Sequence, residues 1–335
     1  NLELRAAREK IANALSCESE EIYFTSGGTE ANNLAILGAA EAGKRKGKRI
    51  VTTAIEHESV LQSVDELEKQ GFEVIRLMPD KQGRITEQQV FDAVNSDTIL
   101  VSMMYVNNEV GSIMPVKSIK KAVKRANAPA LIHIDCVQAF GKLEVKPSKL
   151  GADLVTVTAH KIHGPKGVGA LYLKKGTRIL PRVFGGEQEK KLRPGTEAIP
   201  LIAGFGVAAD LIPDLKKQSE KIKEINTYAR EGLLTVPGVK INSGDDASDY
   251  IINLFVPTFM TSQTVVQHLS SKYGVYVSNG SACAKGKRSH VLTAMKLDDK
   301  IIEKSIRVSF SRTTTKGDID EFVNAIKETV VQYPI

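Results

Sequence analysis

An α/β fold is predicted: a large domain with a mostly parallel sheet flanked by helices, followed by a smaller α+β C-terminal domain. Three observations carry this. Short apolar strands alternate with amphipathic helices over the first two-thirds of the chain. Some of these strands, Thr98–Met104 above all, are apolar almost throughout, which marks burial on both faces of a sheet. The pattern then changes after Pro237-Gly238.

In chain order, the charged amphipathic start, Asn1–Lys10, reads as a helix. Tyr23 to Leu34 reads as a strand, a glycine turn and a helix that opens near Thr29. Arg49–Thr53 is a strand, Ser59–Gln70 a helix stopped by Gly71, and Phe72–Leu77 the next strand. Val116–Ala126 is helical, and Ala130–Asp135 and Asp153–Thr158 are strands. A long helical stretch spans Ala198–Leu234, with Pro200 and Pro213 marking starts or kinks. Beyond Gly238, Tyr250–Val256 is a strand, Gln263–Tyr273 a helix, Ile306–Phe310 a strand and Lys316–Gln332 a closing helix. The expected domains are therefore 1–215 and 216–335.

Composition sets limits. The chain has 335 residues, 42% of them hydrophobic, which is enough for two cores. No apolar run approaches the ~20 residues needed to span a membrane, and no signal peptide is visible. Three widely spaced cysteines, Cys17, Cys136 and Cys283, argue against a disulfide framework and for a reducing cytoplasm. The net charge of +7 is modest, and its densest cluster, Lys44–Arg49, reads as a solvated helix end and turn. No direct nucleic-acid role and no metal site are expected.

The chemistry begins at Ala159-His160-Lys161-Ile162-His163-Gly164-Pro165-Lys166-Gly167. Ligand sites in α/β folds lie at the carboxyl ends of strands, and Lys161 follows such an end. It is placed to form a Schiff base with a cofactor aldehyde, if it is not simply a loop lysine. Asp135 ends an apolar strand one strand–connection–strand unit earlier. A carboxylate there needs a cation. The protonated nitrogen of pyridoxal phosphate (PLP) would serve, since an Asp partner keeps that ring an electron sink. Asp135 by itself could equally cap a helix. Thr25-Ser26-Gly27-Gly28-Thr29 opens a helix whose N-terminus suits a phosphate. His57, at another strand end, either stacks on a flat ring or caps its helix. Cys283 sits in Ser278-Asn279-Gly280-Ser281-Ala282-Cys283-Ala284-Lys285-Gly286-Lys287-Arg288-Ser289, a small, polar, cationic run that reads as a surface loop. Neighbouring positive charge favours the nucleophilic thiolate. Taken alone, an incidental exposed cysteine is as good a reading.

Eight segments in order resemble the cysteine desulfurases of the NifS/IscS type, among the class V, fold-type I PLP enzymes. They are Phe24–Ile36, Glu56-His57, Val106–Gly111, Asp135–Gln138, Ala159–Gly167, Arg193–Glu197, Gly280–Cys283 and Ser305–Arg307. The resemblance implies that Lys161 carries the cofactor and that Asp135 pairs with its ring nitrogen. Gln138 would contact the phenolic oxygen and His57 would stack on the ring. Gly28, Thr29, Thr158 and His160 would hold the phosphate, and Thr196 would reach the phosphate of the other subunit, which makes a homodimer necessary. Asn108 and Arg307 would hold the substrate carboxylate, and Cys283 would take the sulfur. L-Cysteine would become L-alanine, leaving a persulfide on Cys283 for an acceptor protein of iron–sulfur assembly or of tRNA or thiamine thiolation.

Three departures accompany the resemblance. Family members normally begin with a further N-terminal segment. The run after Cys283 is shorter than usual and richer in lysine and arginine. Thr158 stands where many relatives have serine, a change that keeps the hydroxyl. A class V aminotransferase, a selenocysteine lyase and a catalytically idle partner-binding scaffold are the competing readings.

Overall fold

The computed structural model describes residues 2–280 and 288–335. Cys283 therefore lies outside the described residues. The chain divides into two compact units. The first comprises Asn1–Leu77, Ile85–Tyr105 and Met114–Leu215, and the second Met78–Arg84, Val106–Ile113 and Lys216–Ile335. The expected boundary at 215 placed the two short excursions in the first domain. Their hydrogen bonds and charges engage later parts of the chain instead: Gly111 O accepts from Ser248 N at 2.8 Å, and Arg84 lies 3.5 Å from Asp246.

The first unit contains α1 (Leu2–Leu15), β1 (Ile22–Thr25), α2 (Gly28–Gly43), β2 (Arg49–Thr53), α3 (Glu58–Lys69), β3 (Glu73–Leu77) and α4 (Glu87–Ala93). It continues with β4 (Thr98–Met104), α5 (Val116–Arg125), β5 (Leu131–Asp135), α6 (Pro147–Leu150), β6 (Leu154–Thr158), β7 (Gly169–Leu173) and α7 (Ile199–Asp210). Its seven strands form one sheet in the order β1-β7-β6-β5-β4-β2-β3. The five strands from β6 to β3 are mutually parallel, and β7 and β1 close the edge antiparallel. The sheet is thus mostly parallel, as predicted.

Every residue of β4, β6 and β7 is buried, which explains their near-continuous apolar sequences. The helix α2 packs its Ala31, Leu34, Ala35 and Ile36 against this sheet in a core with Leu100, Leu154 and Leu171. Because β2, β4, β5 and β6 run the same way, their last residues, Thr53, Met104, Asp135 and Thr158, all fall at the carboxyl edge of the sheet. Register tightens this: Met104 pairs with Asp135, and Asp135 with Thr156.

The long helical stretch is two helices, α7 and α8 (Leu215–Leu234), parted around Pro213, one of the two prolines expected to mark starts or kinks. The second unit continues with β8 (Lys240–Ile241), β9 (Ile251–Phe255), α9 (Ser262–Tyr273), α10 (His290–Ala294), α11 (Asp299–Glu303), β10 (Ser305–Ser309) and α12 (Lys316–Gln332). Its three strands are antiparallel in the order β10-β9-β8. Ile252, Leu254 and Ile306 of this sheet share a core with Ile225 and Leu233 of α8, Leu269 of α9 and Phe322 of α12. Among the described residues, no helix is long and apolar enough to cross a membrane.

Candidate active site

Asp135 is the last residue of β5 and only 5% exposed. Burial pushes its carboxyl above the ordinary range. A hydrogen bond from Val137 N, another from Asn32 Nδ2 and the charges of His57 and Lys161 pull the other way. Those bonds measure 2.9 Å to Oδ1 and 2.8 Å to Oδ2. A carboxylate so placed gains from a cation delivered to it, as the sequence argument required.

Asn32 was not singled out from sequence. It lies on α2, is 1% exposed, and its Nδ2 also donates to Ser59 Oγ at 2.9 Å. Its Oδ1 has no hydrogen-bond partner. A buried amide amid Ala31, Leu34 and Ala35 on an apolar helix face was the available signal, because such a group must bond to something.

His57 takes the capping role weighed for it. It is the N-cap of α3, its Nδ1 accepting from Ser59 N at 3.2 Å and lying 2.9 Å from Ser59 Oγ. Its charge is also felt at Asp135. Lys161 lies in the short 3-10 turn Ala159–Ile162 that follows β6, and its charge acts on Asp135 and on His160. Asp135, His57 and Lys161 are therefore one electrostatic group.

Thr158 ends β6 with its Oγ1 donating to Val168 O at 3.1 Å and lying 3.0 Å from His160 Nδ1. Partial burial, then the charges of Lys161 and Lys166, lower the pKa of His160. Gly28 is the first residue of α2, and a Cβ there would fall 3.0 Å from Val137 Cγ2 in the turn after Asp135. A side chain at this position would crowd the turn, so the glycine keeps the helix N-terminus open. Thr29 is exposed in the first turn beside it. Gln138 is half-buried in the same post-β5 turn, its Oε1 accepting from Lys142 Nζ at 3.2 Å. Thr196 is exposed. Its segment is tied to α2 by Arg193, whose guanidinium grips Glu30 at 2.8 and 3.2 Å.

These residues fit PLP. A buried carboxylate, a lysine at the neighbouring strand end, an open helix N-terminus and an unsatisfied buried amide oxygen are what a cationic ring with an aldehyde and a phosphate would use. Asp135 would hold the ring nitrogen, Lys161 the aldehyde carbon, and Gly28, Thr29, Thr158 and His160 the phosphate.

The second unit holds Asn108 and Arg307. Arg307, on β10, donates from Nη1 to the backbone O of Asn108 at 2.8 Å, and its main chain pairs with Ser278. The Asn108 side-chain oxygen is buried without a hydrogen-bond partner. The other two thiols are poor nucleophiles. Burial, then Glu21 and Glu18, push Cys17 up to about 12, and burial, then Asp135, pushes Cys136 well up.

Comparison with known proteins agrees with this chemistry. The family model Aminotransferase class-V matches residues 1–322. The cysteine desulfurase IscS of Methanosarcina thermophila is 40% identical over 98% of this chain and 81% of its own length. A solved NifS-like protein superposes with a TM-score of 0.92 at 35% identity, covering 99% of this chain and 88% of that one. The structure of SspA in complex with cysteine matches with a TM-score of 0.79 at 33% identity over 94% of this chain and 88% of that one. The chain belongs to the aminotransferase class-V family, among the cysteine desulfurases of the IscS/NifS kind.

Proposed function

We infer that this chain is a PLP-dependent cysteine desulfurase that converts L-cysteine to L-alanine and keeps the sulfur as a persulfide on Cys283. The observation that carries the reading is Asp135, a buried carboxylate at a strand end with Lys161 and His57 acting on it and Asn32 as its donor. When bound, PLP supplies an electron sink for charge that develops at the substrate α-carbon. Asp135 holds the charge that keeps the sink effective. Lys161 Nζ takes the α-proton and returns a proton to the product. Arg307 clamps the substrate carboxylate with a planar fork, and the Asn108 amide adds a second polar contact. The Cys283 thiolate attacks the substrate sulfur. The carbon–sulfur bond breaks, a sulfur–sulfur bond forms, and the carbon skeleton leaves as L-alanine, so that no external oxidant or reductant is consumed.

The acceptor is a protein of iron–sulfur assembly or of tRNA or thiamine thiolation. Lys285 and Lys287, close to Cys283 in sequence, suit an acidic partner surface. The working form is a cytoplasmic homodimer in which Thr196 serves the partner's phosphate.

The test is to incubate the full chain with PLP and L-cysteine, quantify alanine, and locate the added sulfur by mass spectrometry. Alanine and one added sulfur on Cys283 are expected. Cys283→Ser should abolish both while PLP absorbance persists. Full activity in that variant points to a lyase or aminotransferase, and greater turnover of selenocysteine points to a selenocysteine lyase. The absence of any PLP band points to an idle scaffold.

A further inference from the structure

Glu56 is a fully buried carboxyl that the reaction above does not use. It accepts a hydrogen bond from Thr53 Oγ1 at 2.7 Å, and its two oxygens receive Met104 N at 3.1 and 2.9 Å. The first contact holds the end of β2, and the second holds the end of β4. Met104 is the residue paired with Asp135 across the β4–β5 ladder, and Tyr105 N, one residue on, donates to Asp135 O at 2.9 Å.

The next residue after Glu56 is His57, which caps α3 through Ser59. Ser59 Oγ accepts from Asn32, and Asn32 donates to Asp135. The path from Glu56 through His57, Ser59, Asn32, Asp135 and Met104 therefore closes on itself. Every link is a hydrogen bond, a strand pairing or a peptide bond. Such a ring over-determines the position of its members, because no one of them can shift without breaking two contacts.

We propose that Glu56 is a positioning residue of the cofactor site, acting through the β4 end that fixes Asp135. The inference rests on the PLP reading given above. Removing Glu56 takes both acceptor oxygens from the buried Met104 N, which loosens the end of β4, and Asp135 shifts with it. Charge supports the geometry. Burial, with a smaller push from Asp135, raises the Glu56 carboxyl to about 8 against the hydrogen bonds from Thr53 and Met104. Of the two buried acids, the one that also faces His57 and Lys161 is Asp135. Glu56 thus stays largely neutral near pH 7 and leaves the negative charge on Asp135, where the ring nitrogen needs it.

The experiment strips the full chain of cofactor and titrates it with PLP, reading visible absorbance. Glu56→Ala is expected to weaken PLP binding about tenfold, and Glu56→Gln, which keeps one acceptor oxygen, about threefold. In an Asp135→Ala background, which leaves no carboxylate to position, either change should alter binding by less than about twofold. The melting point of the cofactor-free chain is the second readout, with Glu56→Gln as the variant closest in shape. A purely structural role predicts a large fall in that melting point and effects that multiply with Asp135→Ala, and either result overturns the proposal. Wild-type chain that binds no PLP refutes the proposed function. Wild-type chain that binds while both Glu56 variants bind as tightly overturns this inference alone.

Discussion

Asn32→Ala isolates the electrostatics of the cofactor anchor. The substitution removes two buried donations, 2.8 Å to Asp135 Oδ2 and 2.9 Å to Ser59 Oγ. The first is a hydrogen bond to a charged group, worth roughly 1.5–3 kcal/mol. It also holds the Asp135 carboxyl down against burial. Its loss lets burial push Asp135 further up and disfavours the charged form that the ring nitrogen pairs with. At about 1.4 kcal/mol per decade, PLP affinity should fall roughly ten- to a hundredfold. The cofactor-free fold should suffer less. Asn32 Oδ1 has no partner, so deleting the amide also removes a buried unsatisfied oxygen and offsets part of the cost. The assay is an absorbance titration of cofactor-free chain with PLP, beside thermal melts of the same samples. Asn33→Ala is the control, because its amide only reaches back to Thr29 O. PLP affinity within twofold of wild type for Asn32→Ala would refute the reasoning, as would equal losses in the two variants.

Three further outcomes are expected. Burial holds His133 neutral, with its pKa lowered from 6.5 to about 3. The folded chain therefore binds fewer protons than the unfolded one between those values, and stability present above pH 6.5 is lost as pH falls toward 3. Urea midpoints at pH 7.5 and pH 5 should show this loss in wild type and less of it in His133→Gln. Glu189→Ala leaves Phe24 N without its acceptor and takes from Arg8 its carboxylate partner, bonds of 2.6–2.9 Å to a nearly fully buried side chain, while Arg8 keeps its bond to Ile22 O. It should cost about 3 kcal/mol, read as a lower urea midpoint with an unchanged m-value. Arg307→Lys keeps the charge but loses the planar fork, so the KM for L-cysteine should rise about tenfold or more with a smaller effect on kcat. Equal losses in KM and kcat would argue for a different role.

Much of the site could be read from sequence because its residues sit at interruptions of strong patterns. Asp135 is a charge at the end of an apolar strand, and Lys161 follows the end of another, so parallel pairing alone brings both to one edge. The glycines at 27 and 28 and the histidine at 57 stand where strands give way to helices. What escaped was of two kinds. The strand β7, which lies between β1 and β6, opens with Gly169-Ala170, residues that favour strands little until neighbours bury them. The excursions Met78–Arg84 and Val106–Ile113 read as connections of the first domain, since nothing local reports that their bonding partners come much later in the chain.

Asn32, Ser59 and Glu56 escaped for a different reason. Each is an ordinary polar residue whose importance appears only when its burial is known. Isolated buried polar groups cost stability, and a fold keeps them where they form a connected set. Here Glu56, Ser59 and Asn32 connect to one another and end on Asp135, and the two amide oxygens of the expected sites that lack a partner, on Asn32 and Asn108, belong to residues beside Asp135 and Arg307. Asn32 and Asn108 are two of the buried polar residues with an unpaired atom, and each lies beside a group expected to hold the ring or the substrate carboxylate. If that burial served only to hold the fold, substituting apolar residues of similar size at positions 32 and 108 would stabilise the cofactor-free chain and leave PLP and cysteine binding untouched. Binding losses without stability losses are the expected result.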